Sequence, residues 1–185
     1  MPRTQELSKR SDQAIERLNG QAFWYALHLR PRFEQIAAHN LQVKGYEQFL
    51  PLYRRRNRGS VNVREIELPL FPGYVFCRFS LVDRFTILMI PGVTAIVGDS
   101  KGAAPVNEQE LDGLRLILES GKQYEPRPFI RVGRRLRVAT GPLAGLEGSV
   151  AMSNNNCRLV IPVTLLQRSV AVEIDRHWLR PIALG

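Results

Sequence analysis

Only two cysteines occur in this 185-residue chain, Cys77 and Cys157, and neither belongs to a CxxC pair or a histidine cluster, so neither a disulfide framework nor a structural zinc site is expected. Buried free thiols are the expectation. His28, His39 and His177 show no metal-ligand spacing, no serine or cysteine sits in a nucleophile elbow or dyad, and Gly141 to Gly148 lacks the Gly-Lys-Ser/Thr ending of a phosphate loop. An enzyme, a cofactor and a bound metal are therefore not expected. No apolar run approaches the ~18 residues of a membrane span, and the first twenty residues are polar and mixed in charge, which points to the cytoplasm and to no membrane partner. Lysine is scarce as well. Of 26 basic residues, 22 are arginine, a bias that fits a nucleic acid or an acidic protein surface and that a GC-rich genome also produces.

The rest of the composition is that of an ordinary globular protein, 44% hydrophobic and 23% charged with a formal charge of +9, enough for one domain or two small ones. The most informative stretch is Leu68-Pro69-Leu70-Phe71-Pro72-Gly73-Tyr74-Val75-Phe76, which sets three aromatic rings around a Pro-Gly corner directly before an apolar strand. Proline fixes φ, glycine tolerates the reversal, and the strand holds its rings in alternate directions. Such a corner presents a rigid apolar patch to the core or to a partner. Phe71, at the corner and not inside a strand, is expected to be exposed. Trp24, in a strand that alternates into a sheet, is expected in the core, and Tyr74 and Phe76 are open to either placement.

Residues 1–20 carry charges and amides with little apolar periodicity and read as a mobile arm. Phe23 to Leu29 reads as a buried strand, and Arg32 to Lys44 as a helix with Phe33, Ile36, Ala37 and Leu41 on one face, Pro31 at its entry and Gly45 closing it. Tyr46 to Leu52 is a second strand. It leads into a basic hairpin tip, Tyr53 to Ser60, with Val63 to Leu70 returning and Tyr74 to Phe79 adding a strand. Asp83 to Met89 reads as a short helix before the Pro91-Gly92 break. Asn107-Glu108-Gln109-Glu110 has the form of a helix cap, followed by Leu111, Leu114, Ile117 and Leu118 at helical spacing. That helix is expected to close a first domain over 21–121, an α+β unit with helices against an antiparallel sheet.

Residues 122–128 contain two prolines and read as a linker. Over 129–185 short β-type runs alternate with Gly, Pro and an Asn154-Asn155-Asn156 turn, which suggests a small five-stranded β-barrel. Residues 126–185 hold nine Arg against three acidic residues, so the basic excess is concentrated downstream.

Within that second domain Val132-Gly133, Leu136-Arg137-Val138 and Gly141-Pro142-Leu143-Ala144-Gly145-Leu146-Glu147-Gly148 form a comb that resembles the KOW motif of transcription elongation and ribosomal proteins. Taken together with Trp24-Tyr25, Phe71-Pro72-Gly73-Tyr74 and Pro91-Gly92-Val93, in this order over roughly 160 residues, the chain resembles the NusG family, an NGN domain joined to an SH3-like KOW barrel. The resemblance implies a monomeric, non-enzymatic elongation or antitermination factor that binds the clamp helices of RNA polymerase and modifies pausing or termination. By motif position Trp24, Phe71, Pro72, Tyr74 and Phe76 match the clamp-binding surface, Phe85 and Thr86 the element facing the opposite jaw, and Arg30 a basic position near non-template DNA. Leu143, Leu146, Leu165, Leu166 and Arg168 fall where the family's KOW domain takes a small-subunit ribosomal protein or Rho.

Trp24-Tyr25-Ala26-Leu27-His28, Leu50-Pro51-Leu52-Tyr53 and Val163-Thr164-Leu165-Leu166-Gln167-Arg168 are similar to the UpxY-type antiterminators, paralogues that act on particular long operons. At Leu165-Leu166-Gln167-Arg168 the chain departs from the general factor, which tends to carry an aromatic and a glycine before the arginine. Two local alternatives stay open. Arg54, Arg55, Arg56 and Arg58 read either as a solvated charge run or as a DNA contact, and Leu143 and Leu146 either plug a barrel mouth or bind a partner. A rival for the whole chain is an RNA- or ribosome-associated protein working through the KOW barrel.

Overall fold

A computed structural model describes residues 20–57, 64–100, 102–129, 135–153 and 156–182. The N-terminal arm up to residue 19, the hairpin tip at 58–63 and residues 154–155 of the asparagine turn lie outside the described residues. In chain order the elements are β1 (Phe23–Leu29), α1 (Glu34–Val43), β2 (Glu47–Phe49), β3 (Leu52–Asn57), β4 (Arg64–Pro69), β5 (Tyr74–Phe79), α2 (Arg84–Leu88), β6 (Val93–Ile96), β7 (Gly98–Asp99), β8 (Gly102–Ala103) and α3 (Glu108–Glu119). They are followed by β9 (Tyr124–Pro128), β10 (Arg135–Val138), β11 (Glu147–Ser153), β12 (Asn156–Val163), β13 (Arg168–Ile174) and β14 (Leu179–Pro181). The chain divides into two compact units, Met1–Leu50 with Gly73–Pro105, and Pro51–Pro72 with Val106–Gly185.

In the first unit four strands pair antiparallel in the order β2-β5-β1-β6. Period-2 alternation sends Tyr25, Leu27 and Leu29 of β1 and Val75, Cys77 and Phe79 of β5 to one face, where they pack with Ala37, Ala38 and Leu41 of α1 and with Ile87 and Ile90. The other face carries Trp24, Ala26 and Phe76, which are buried too, with Phe49 stacked on Phe76 at 6.1 Å. Burial on both faces is why β1 reads as a continuous apolar run.

The helix expected from Arg32 begins two residues later, at Glu34. Pro31 takes the second position of a turn closed by the Phe33 N–H donating to the Arg30 carbonyl at 3.2 Å, and Arg32 takes the third with φ +68. That is the position where a type II turn calls for glycine, and a side chain in left-handed backbone costs about 1–2 kcal/mol. The turn is pinned from outside. The Arg30 N–H donates to the Gly92 carbonyl at 2.8 Å, and a Cβ on Gly92 would sit 2.5 Å from Phe33. At the far end Gly45 closes α1 as expected, with the Tyr46 N–H reaching the Leu41 carbonyl at 3.0 Å.

The second unit contains the β3–β4 hairpin, α3 and an antiparallel six-stranded sheet in the order β14-β10-β11-β12-β13-β9. In place of the expected five strands six pair, and no closed barrel is found among the described residues, where no ladder joins β14 to β9. The additional strand, β9, comes from the stretch read as a linker and pairs with β13, Pro126 opposite Val170. The prolines are tolerated because an edge strand has one side on which a missing N–H breaks no ladder.

Helix α3 starts where its sequence predicts, with Asn107 Oδ1 accepting from the Gln109 N–H at 2.9 Å and Leu111, Leu114 and Ile117 buried. It lies with the second unit, although the sequence places it at the end of the first. Two features join it to the sheet. Gly113 lets the helix come close, since a Cβ there would be 3.0 Å from Leu146 Cδ1 and 3.8 Å from Ile161 Cγ2. The Glu110 carboxylate accepts both the backbone N–H of Thr164 at 3.0 Å and its hydroxyl at 2.6 Å.

Candidate interaction surface

The Pro-Gly corner is held by two hydrogen bonds from opposite sides. Gly73, at φ +83, donates its N–H to Glu34 Oε1 at 2.9 Å and accepts from the Leu29 N–H at 2.8 Å. Glu34 is itself buried in the first turn of α1, where a carboxylate meets the positive end of the helix dipole. The corner is thus clamped between α1 and β1, and the direction of the next side chain follows from it.

Tyr74 is half-buried and lies edge-on to His28, ring centroids 5.3 Å apart. His28 is exposed and paired in register with Tyr74 across β1 and β5. Its Nδ1 is 2.7 Å from Thr94 Oγ1, and that hydroxyl donates its single proton to the His28 carbonyl at 3.0 Å. Nδ1 therefore carries the ring proton in the neutral imidazole and donates to Thr94, leaving Nε2 as an acceptor. Sequence reasoning did not select His28 or Thr94, because their pairing spans 66 residues.

The other residues selected for this surface separate into two groups. Trp24 and Phe76 are buried, at 3% and 0% exposure. Phe71, expected to be exposed, is also buried at 3%. The Leu70 N–H donates to the Pro51 carbonyl at 2.8 Å, which extends the β3–β4 pairing past Pro69, so Phe71 directly follows a paired strand and does not stand on a free corner. Pro72, Phe85 and Thr86 are exposed. Phe85 belongs to an apolar row with Val82 and Met89, three and four positions apart and 66%, 72% and 83% exposed in chain order, and the Arg84 guanidinium lies 5.2 Å from the Phe85 ring.

Of the basic positions, Arg30 is exposed on the pinned turn. Arg54 and Arg55 are exposed on β3, and Arg54 meets Glu67 directly opposite on β4 at 3.3 Å. An exposed pair of this kind contributes little to stability. Arg58 and the side chain of Arg56 lie outside the described residues.

In the second unit Leu143, Leu146 and Leu166 are buried, Leu165 is half-buried and Arg168 exposed. Leu143 and Leu146 therefore pack inside the second unit. Gln167 precedes Arg168 with left-handed φ +50, and its Nε2 donates to the Thr164 carbonyl at 2.8 Å. A cleft of about 650 Å³ runs between α3 and β10 to β12, with Glu110, Asp112 and Glu147 facing Arg135 and Arg137. Its charges are largely matched internally, Glu147 with both arginines, Asp112 with Arg115 and Glu110 with Thr164.

Both cysteines are free thiols; Cys77 is buried as expected, whereas Cys157 is only half-buried and lies near the charges of Arg176 and Asp175. Burial pushes the Cys77 thiol up to about 12, reinforced by the charge of Glu47, and burial raises Cys157 as well. Among the described residues no group of histidine, cysteine and carboxylate side chains is placed to hold a metal ion, and no helix is long and apolar enough to cross a membrane.

Comparison with known proteins gives a consistent result. The family model described as "NusG: Transcription termination factor nusG" matches residues 22–115. The transcription termination/antitermination protein NusG of Lactococcus lactis is 28% identical over 155 residues, covering 80% of this chain and 82% of that protein. The protein of the same name from Thermus thermophilus is 29% identical over 178 residues, covering 82% and 94%. Among solved structures, one titled "Domain interaction in Thermotoga maritima NusG" superposes with a TM-score of 0.56 over 89% of this chain and 99% of that one, at 17% identity, a likeness of fold.

Proposed function

The chain belongs to the NusG family of transcription termination and antitermination factors, and from that premise we propose that it binds RNA polymerase through the exposed edge of its first unit and modifies pausing or termination without catalysing a reaction. The observation that carries this proposal is the clamped corner. Glu34 and Leu29 hold Gly73 from both sides, so Tyr74 is presented at low entropic cost beside His28. Trp24 and Phe76 are buried on the sheet face that also carries Tyr74 and His28, and the exposed row of Val82, Phe85 and Met89 offers a second apolar anchor.

The clamp helices of the polymerase are the proposed site for Pro72 and Tyr74, and the opposite jaw that for Phe85 and Thr86. Arg30 is the proposed residue near the non-template DNA strand, and Arg54 and Arg55 of the second unit are the proposed contacts to upstream DNA. The stretch Leu165-Leu166-Gln167-Arg168 supports an operon-specific paralogue of the UpxY type acting in the cytoplasm, with Leu165 and Arg168 as the accessible residues for a ribosomal protein or Rho.

Binding of core RNA polymerase by the full chain is the test. Tyr74→Ala is expected to raise the dissociation constant about tenfold, near 1.4 kcal/mol, while thermal unfolding changes little because the ring is only half-buried. Equal affinity for wild type and Tyr74→Ala would remove the corner from the interface, and no affinity in either would remove the function.

A further inference from the structure

Thr94 reaches His28 because β6 is irregular at that point. In the β1–β6 ladder His28 stands opposite Ala95 and Leu29 opposite Val93, so Thr94 is the extra residue of a bulge. Along a regular strand Thr94 and Ala95 would point to opposite faces. The bulge instead turns the threonine toward the face that His28 shares with Tyr74, where its hydroxyl meets the ring at 2.7 Å. Because the hydroxyl proton goes to the His28 carbonyl at 3.0 Å, the neutral ring donates from Nδ1, and Nε2 is left as an acceptor with no partner among the described residues. Both side chains are exposed. The arrangement is therefore not required to satisfy a polar group buried by folding.

We propose that His28 is a specificity-determining residue of the polymerase-binding edge: its Nε2 accepts a hydrogen bond from an N–H or O–H donor on the polymerase, and Thr94 is the positioning residue that holds the ring in the accepting tautomer. This rests on the binding of polymerase beside Tyr74 proposed above. In water an unpaired acceptor on the surface costs nothing. Where a contact excludes water, an acceptor set against another acceptor or an apolar group loses its hydrogen bond outright and a matched donor restores it, so a fixed tautomer selects among surfaces of the same shape. An imidazole free to exchange its tautomers would offer either a donor or an acceptor and discriminate less.

The tautomer and the affinity are measured separately. Nitrogen-15 shifts of the His28 ring at about pH 8, where imidazoles are neutral, are expected to show a protonated Nδ1 and a bare Nε2 in the full-length wild type and in Thr94→Ser, and to move toward a protonated Nε2 in Thr94→Val. In titrations with core RNA polymerase, His28→Phe keeps a ring beside Tyr74 without the acceptor and is expected to weaken binding about tenfold. His28→Gln retains an acceptor and is expected to lose about threefold or less. Thr94→Val is expected to lose about threefold, with Thr94→Ser restoring the affinity. Melting temperatures are expected to change little, since both positions are exposed. Wild-type affinity in His28→Phe would overturn the proposal, as would equal losses in His28→Phe and His28→Gln, which would make ring packing the contact. Weaker binding in Thr94→Val with the tautomer unchanged would overturn the role of Thr94. If wild type does not bind polymerase, the reading on which this rests fails first and the role of His28 with it. If Tyr74→Ala weakens binding and His28→Phe does not, only the role of His28 is lost.

Discussion

Phe71 and Tyr74 stand three positions apart on the same corner, yet one is packed and the other presented. A buried phenyl ring truncated to alanine loses its transfer energy and leaves a cavity, so Phe71→Ala is expected to lower unfolding free energy by about 3 kcal/mol in denaturant titrations. Tyr74→Ala, by contrast, acts on binding. Cys77 makes a second prediction at this scale. Its thiol titrates near 9.0 in the unfolded chain and about 12 in the fold, so the native state holds the proton more tightly. The associated stability is complete below pH 9 and declines as pH rises toward 12, by about 1.4 kcal/mol per unit. Denaturant midpoints measured across that range should fall in wild type and fall less in Cys77→Ala. The identity of these residues was plain in the sequence. Their exposure was not, because the Leu70 to Pro51 hydrogen bond that extends the strand pairing up to Phe71 joins positions 19 apart.

Among the elements, α3 was the most legible. Its cap, acidic first turn and apolar spacing are all local, and local interactions depend little on the rest of the chain. Removing the cap by Asn107→Ala is expected to destabilise the protein by about 1 kcal/mol, read as a lower denaturant midpoint with an unchanged slope. Helix α1 was legible except for its start. Pro31 signals helix entry, but the left-handed Arg32 spends two residues on a turn that the docking of Gly92 against Phe33 imposes. Strand β9 was hidden for the opposite reason: its prolines argue against a strand, and only the free edge of β13 makes them acceptable.

Across the whole molecule, a net charge of +9 with nine arginines downstream of residue 125 was evident from composition, as were the scarcity of catalytic groupings and the order of motifs that points to the NusG family. Those properties belong to residue types and their spacing, which no folding step alters. The open six-stranded sheet, the placement of α3, and the separation of Phe71 and Trp24 from Tyr74 depend instead on contacts between distant positions. Glu110 reaches Thr164 across 54 residues, His28 reaches Thr94 across 66, and Glu34 reaches Gly73 across 39. Each partner is set by which distant positions meet when the chain closes on itself, and for the buried Glu34 also by the need to satisfy a polar group out of water.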